Sequence, residues 1–122
     1  MLRKQSDQDF FIKSRPSVSI LDFDRQCLVD CILQKLENKD VEAAYIFGSF
    51  ARGKEHLWSD IDLIIVKDSS LPFIERPREF FDLMDIGVPL DILVYTPDEF
   101  AKMKVEENGF WKGVQSAIIR IV

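Results

Sequence analysis

An α/β fold is predicted by the alternation of two kinds of segment along this 122-residue chain. Three short runs, Ala43–Phe47, Ile61–Val66 and Leu90–Tyr95, are dense in apolar, β-branched and aromatic residues, as buried strands are. Around them lie stretches whose apolar residues recur at helical steps, or whose first residues are those that start a helix. The length supports one compact core and leaves little room for a second.

Residues 1–20 show weak periodicity, hold Pro16 and read as a loose N-terminal extension, in which Phe10, Phe11 and Ile12 form an apolar cluster able to dock on the body. Residues 21–122 read as the domain. From about Asp24 to Asn38, Cys27, Leu28, Cys31, Ile32 and Leu36 recur at three- and four-residue steps, which predicts an amphipathic helix with all five on its buried stripe. Cys27 and Cys31 then serve as two small buried apolar residues. A zinc site would need further ligands, and the chain has no other Cys and one distant His.

Ala43–Phe47 is bounded by charge on one side and Gly48 on the other, a short buried strand. After Ile61–Val66, Ser70-Leu71-Pro72 marks a turn, and Phe73 to Met84 is expected to hold a helix interrupted or started at Pro77, with Gly87 and Pro89 ending that region. Thr96-Pro97-Asp98-Glu99 then reads as a helix start, with Thr96 as N-cap, Pro97 in the first position and Glu99 completing a capping box. That helix is expected to run to about Glu107, where Asn108-Gly109 breaks it. Phe110 to Ala117 reads as helical again, and Ile118 to Val122 as a strand or a helix end.

Apolar residues make up 47% and charged residues 30%, the proportions of a folded soluble domain rather than a disordered one. A formal net charge of -5 argues against a broad grip on nucleic acid and favours small-molecule or protein partners. Uncharged apolar stretches such as Leu63–Val66 are far too short to span a bilayer, and the basic N-terminus leads into no apolar region long enough for a secretory signal. A cytoplasmic location is expected, with no membrane contact.

The chemistry is concentrated between Gly48 and Asp91. Side chains alternate along a strand, so Asp60 and Asp62 are expected on one rim while Ile61 and Leu63 point to the opposite, buried side. Paired carboxylates resist ionising together without a counter-ion. Magnesium resolves the conflict, since it takes one or two carboxylates and fills its other positions with water and phosphate oxygens. Asp91 opens the third apolar run. If that strand lies beside the second, a third acid reaches the same rim, enough to hold two metal ions and to accept a proton from an attacking hydroxyl. Gly48 and Ser49, at the end of the first strand, let a phosphate approach the backbone and offer it a hydroxyl, with Arg52 and Lys54 as nearby positive charge.

In this order, Gly-Ser followed by Asp-x-Asp and a later strand acid, the residues resemble the nucleotidyltransferase superfamily typified by DNA polymerase β. The resemblance is closest to its minimal nucleotidyltransferases: Gly48-Ser49-Phe50-Ala51-Arg52-Gly53 and Ser59-Asp60-Ile61-Asp62-Leu63 match the family motif without departure. It covers about Asp24 to Tyr95 well and the tail loosely. It implies a palm in which a short mixed sheet is backed by helices, ATP as co-substrate, magnesium as cofactor, and transfer of AMP to an acceptor with release of pyrophosphate. Carried over by position, Gly48, Ser49 and Arg52 look like nucleotide contacts, Asp60 and Asp62 like catalytic metal ligands, and Asp91 like the third acid. Many such proteins are antitoxins that adenylylate a tyrosine on a HEPN-domain ribonuclease toxin, so the resemblance implies a HEPN partner and a toxin-antitoxin role.

Larger transferases of this type add an acceptor-holding domain, so the acceptor half is expected from another chain or a second copy. Phe80, Phe81, Phe110 and Trp111 read either as contacts for it or as ordinary core. His56 reads as an exposed loop histidine, Trp58 as a cover for the base or as packing against the sheet, and Glu106-Glu107 as a solvated helix face. Two other readings stay open. One is a non-catalytic module that neutralises its partner by binding alone. The other is a small-molecule nucleotidyltransferase of the aminoglycoside-modifying kind, against which the missing acceptor domain counts.

Overall fold

A computed structural model describes residues 18–106 and 109–122. Strands β1 (Ala43–Phe47), β2 (Ile61–Val66), β3 (Leu90–Tyr95) and β4 (Ile118–Arg120) form one mixed sheet in the order β3-β2-β1-β4. β1 is antiparallel to both of its neighbours, and β2 and β3 are parallel. The first three strands coincide with the three apolar runs, and the C-terminal tail is a strand, with Ile118 opposite Phe47.

Helices cover both faces, which is why central β2 is apolar almost throughout. On the first face, α1 (Arg25–Leu36) and the crossover between β2 and β3 bury Leu28, Ile32, Leu36, Phe80 and Leu83 against Ile46, Leu63, Ile65 and Val94. On the second, α3 (Pro97–Glu106) and α4 (Gly109–Gln115) bury Phe100, Met103, Trp111 and Val114 against Ile64 and Val66. Between β1 and the spacer sits a single turn, α2 (Gly48–Ala51).

Asp24 caps α1 by accepting from the Cys27 N–H at 3.1 Å. The buried row is Leu28, Ile32 and Leu36, while Cys27 and Cys31 are exposed, contrary to their predicted burial. The two rows lie side by side on the helix, and the bulkier Leu/Ile row releases more free energy on burial and takes the core. Upstream, Ser19 caps a 3₁₀ turn, Ile20–Asp22, and Ile20 joins the first core cluster. Phe10, Phe11 and Ile12 lie outside the described residues.

The parallel step from β2 to β3 needs a crossover. Phe73–Ile86 supplies it as 3₁₀ turns joined at a kink at Phe80, not as an α-helix. Pro77 lacks the N–H that an α-helical bond at its position would need, and the backbone leaves helical geometry at Phe80, φ -110 and ψ 15. Inside this segment Arg76 is buried, donating to the carbonyls of Leu71 at 2.9 Å and Val94 at 3.2 Å and to both carboxylate oxygens of Glu99 at 2.6 and 3.2 Å. Glu99 closes the predicted capping box, accepting from the Thr96 N–H at 2.9 Å while its own N–H donates to Thr96 Oγ1 at 3.2 Å. No helix among the described residues is long and apolar enough to cross a membrane.

Candidate active site

The C-terminal end of β1 and the N-terminal ends of β2 and β3 lie at one edge of the sheet. There Asp62 stands opposite Phe47 on one side and opposite Asp91 on the other. Neighbouring strands are about 4.8 Å apart, so the parallel register brings Asp91 beside Asp62. Asp60 precedes the first residue of β2 and is exposed, as is Asp91, while Asp62 is half-buried. Burial, and then the charges of Asp91 and Asp60, push the Asp62 carboxyl above the usual carboxylate range.

Gly48 has φ +77, and a Cβ there would collide with the Asp62 carboxylate, its Cγ only 3.2 Å away. Position 48 therefore excludes a side chain on two separate grounds, and the backbone turn and the carboxylate are in direct contact. The turn is closed by Arg52 N–H to Gly48 O at 3.1 Å and by Lys54 N–H to Ser49 O at 2.9 Å. Phe50 anchors it in the core, with the Arg25 guanidinium 4.0 Å above its ring and donating to its carbonyl at 2.7 Å. Arg25 also pairs with Glu55 of the spacer.

The spacer between Ser49 and Asp60 is gathered by Ser59, which is buried. Its Oγ accepts from the His56 N–H at 2.8 Å and meets the Ser49 hydroxyl at 3.4 Å, and its own N–H donates to His56 O at 3.0 Å. From the other side the Ser19 hydroxyl donates to Leu57 O at 2.9 Å. Ser59 stands next to Asp60 within the Ser-Asp-Ile-Asp motif, yet its role depends on a spacer conformation that spacing alone does not define.

The remaining residues divide. His56 is exposed, as expected of a loop histidine, and Trp58 is 60% exposed, so it does not pack against the sheet. Phe80 and Trp111 belong to the two cores, whereas Phe81 and Phe110 are exposed. Arg52 donates to Ser116 Oγ at 3.1 Å and lines, together with Gly48, a cleft of about 350 Å³ whose far wall is α4. That cleft was not legible in the sequence, because it exists only where α4 packs beside β1.

The carboxylates suit a hard divalent cation. All the donors are oxygen, none of the three acids has a cationic partner among the described residues, and such a cation offsets both the burial and the like charge that raise Asp62. No group of three His, Cys, Asp or Glu among the described residues is arranged to hold an ion unaided. Magnesium, for comparison, takes few protein ligands and completes its shell with water and substrate phosphates.

The family model described as "Polymerase beta, Nucleotidyltransferase" matches residues 30–109. No curated protein matches the chain. Among solved structures, a chain in a toxin-antitoxin crystal structure with AMP-PNP is similar at 18% identity and TM-score 0.55, over 77% of this chain and 72% of that one. A chain in the complex of a tri-AMPylated Shewanella oneidensis HEPN toxin with its MNT antitoxin is similar at 15% identity and TM-score 0.52, over 81% and 72%. One in a mutant of the toxin-antitoxin MntA-HpeT is similar at 14% identity and TM-score 0.51, over 82% and 73%. At these identities the likeness is one of fold.

Proposed function

We propose an AMP-transfer reaction for this chain, which belongs to the Polymerase beta nucleotidyltransferase family: the AMP of ATP passes to a hydroxyl of a HEPN-domain toxin, a tyrosine, and the chain acts as the antitoxin. The observation that carries the reading is the edge where Asp62 touches Gly48 on one side and pairs with Asp91 on the other. It joins a phosphate-binding turn to a pair of acids. The fold shared with chains of HEPN toxin–MNT antitoxin structures supports the choice of partner.

In this reaction Gly48 admits the triphosphate to the backbone, and the Ser49 hydroxyl, held near Ser59, donates to it. Asp60 and Asp62 would hold magnesium, which when bound neutralises the triphosphate and polarises the phosphorus. Asp91, exposed at the start of β3, accepts the proton of the acceptor hydroxyl as that oxygen attacks the α-phosphorus. The new oxygen–phosphorus bond forms as the bond to the bridging oxygen breaks, and pyrophosphate leaves with that electron pair.

The test is incubation with ATP labelled at the α-phosphate, magnesium and a HEPN-domain toxin. Label on the toxin that disappears with Asp60→Asn and Asp62→Asn is the expected result. Stable complex formation with no label transferred would replace the enzyme with a binding module, and unchanged transfer in both variants would eliminate the mechanism.

A further inference from the structure

The cleft beside Gly48 is built of different materials from the carboxylate edge. Phe47, Phe110 and Val114 supply apolar walls, Gly109 and Gly113 line it along α4, and Arg52 is the one charged lining residue among those described. Its volume of about 350 Å³ falls within the range of small-molecule sites. Phe110 is 44% exposed, and its ring meets that of Phe47 edge to face, 84° between planes and 6.1 Å between centres. One ring thus presents an uncovered aromatic surface beside the edge of the other.

Resting on the nucleotide-transfer reading above, we propose that this cleft receives the base of the nucleotide and that Phe110 stacks on it. Gly48 belongs to both places: it touches the Asp62 carboxylate and lines the cleft. A nucleotide whose phosphates lie at Gly48 and Ser49 therefore has a continuous path into the cleft. The lining decides which end of the nucleotide goes there. A triphosphate tail needs several donors, and a single guanidinium among aromatic and aliphatic walls does not provide them; a base needs a π face and a slot of its own thickness. The two glycines leave room for it beside α4. A Cβ at either would meet nothing within 4 Å, so the space beside α4 is empty and not filled by packing.

Binding of ATP and of inorganic tripolyphosphate, each with magnesium, measured by titration calorimetry, separates base from phosphate. Phe110→Ala is expected to weaken ATP about tenfold while leaving tripolyphosphate unchanged. Gly113→Leu fills the cleft at a helical position that tolerates a side chain. It is expected to show the same selective loss with a melting temperature equal to or above that of the parent. Ser49→Ala should weaken both ligands. Equal losses for ATP and tripolyphosphate in the cleft variants, or no loss of ATP binding in either, would overturn the base site while leaving nucleotide transfer standing. Absence of binding of both ligands to the parent protein would overturn the transfer reading, and the base site with it.

Discussion

At one end of the β2–β3 ladder Asp62 and Asp91 stand side by side with no cationic partner among the described residues, whereas just beyond the other end Glu99 is held by two nitrogens of Arg76 and by the Thr96 N–H. The same functional group is treated in opposite ways. Asp62 is pushed above the ordinary carboxylate range by burial and by like charge, and Glu99 is held below it chiefly by the Arg76 hydrogen bond. An acid that serves the fold is compensated within the chain. One left uncompensated at a strand start is available to a ligand that brings its own positive charge.

The contrast has consequences for stability. Folded Asp62 holds its proton more tightly than in the unfolded chain, so its contribution to stability declines as the pH rises from the ordinary carboxylate value through its raised one. Glu99 contributes above the ordinary value and loses that contribution as the pH falls through its lowered one.

The contrast is most sharply broken by Asp62→Asn, which removes charge and keeps shape. We expect transfer to fall about a thousandfold, with the melting temperature at neutral pH unchanged or higher. Loss of both activity and stability would place Asp62 among the structural acids. At the other end, Arg76→Met strips donors from Leu71 O, Val94 O and Glu99, and urea unfolding should show a loss of about 2–3 kcal/mol. Transfer per folded molecule should persist. Gly48→Ala and Gly87→Ala share a positive φ, which alone costs about 1 kcal/mol, but only position 48 adds a collision with Asp62. The expected outcome is a larger stability loss at 48, accompanied there alone by reduced transfer. The smallest effect is a titration. Carboxyl carbon NMR should find Asp62 above its ordinary range, and Asp91→Asn should lower it only part of the way, since burial is the larger cause. A complete return to the ordinary range would mean that the neighbouring charge, and not burial, raises Asp62.

What the sequence makes legible follows the range of the forces involved. The bounds of β1, β2 and β3 and the Thr96–Glu99 capping box depend on residues near one another in the chain, and they are found where expected. Asp91 could be placed beside Asp62 only on the condition that the two apolar runs pair in parallel, which a 23-residue crossover from 67 to 89 decides. The inversion of Cys27 and Cys31 arose because helical period identifies a stripe without saying which of two adjacent rows reaches the sheet. Arg76 gave no signal at all: its grip on Glu99 spans 23 residues, and a buried arginine in a crossover is defined by the carbonyls that happen to surround it. The cleft at Phe110 is likewise a product of packing between α4 and β1, two elements more than sixty residues apart.

Ser59 ties the two ends of the spacer into one piece. With its hydroxyl between the His56 N–H and the Ser49 Oγ, and Ser19 holding Leu57 from outside, the loop that separates Ser49 from Asp60 is fastened before any ligand arrives. Ser49 and Asp60, the phosphate contact and the metal ligand of the proposed reaction, are thereby gauged against each other, and the entropy of ordering the loop is lost in folding rather than at each binding event. The length of the spacer becomes a specification: a residue inserted between 53 and 58 would leave every site residue in place in the sequence and put the two halves of the nucleotide site out of alignment.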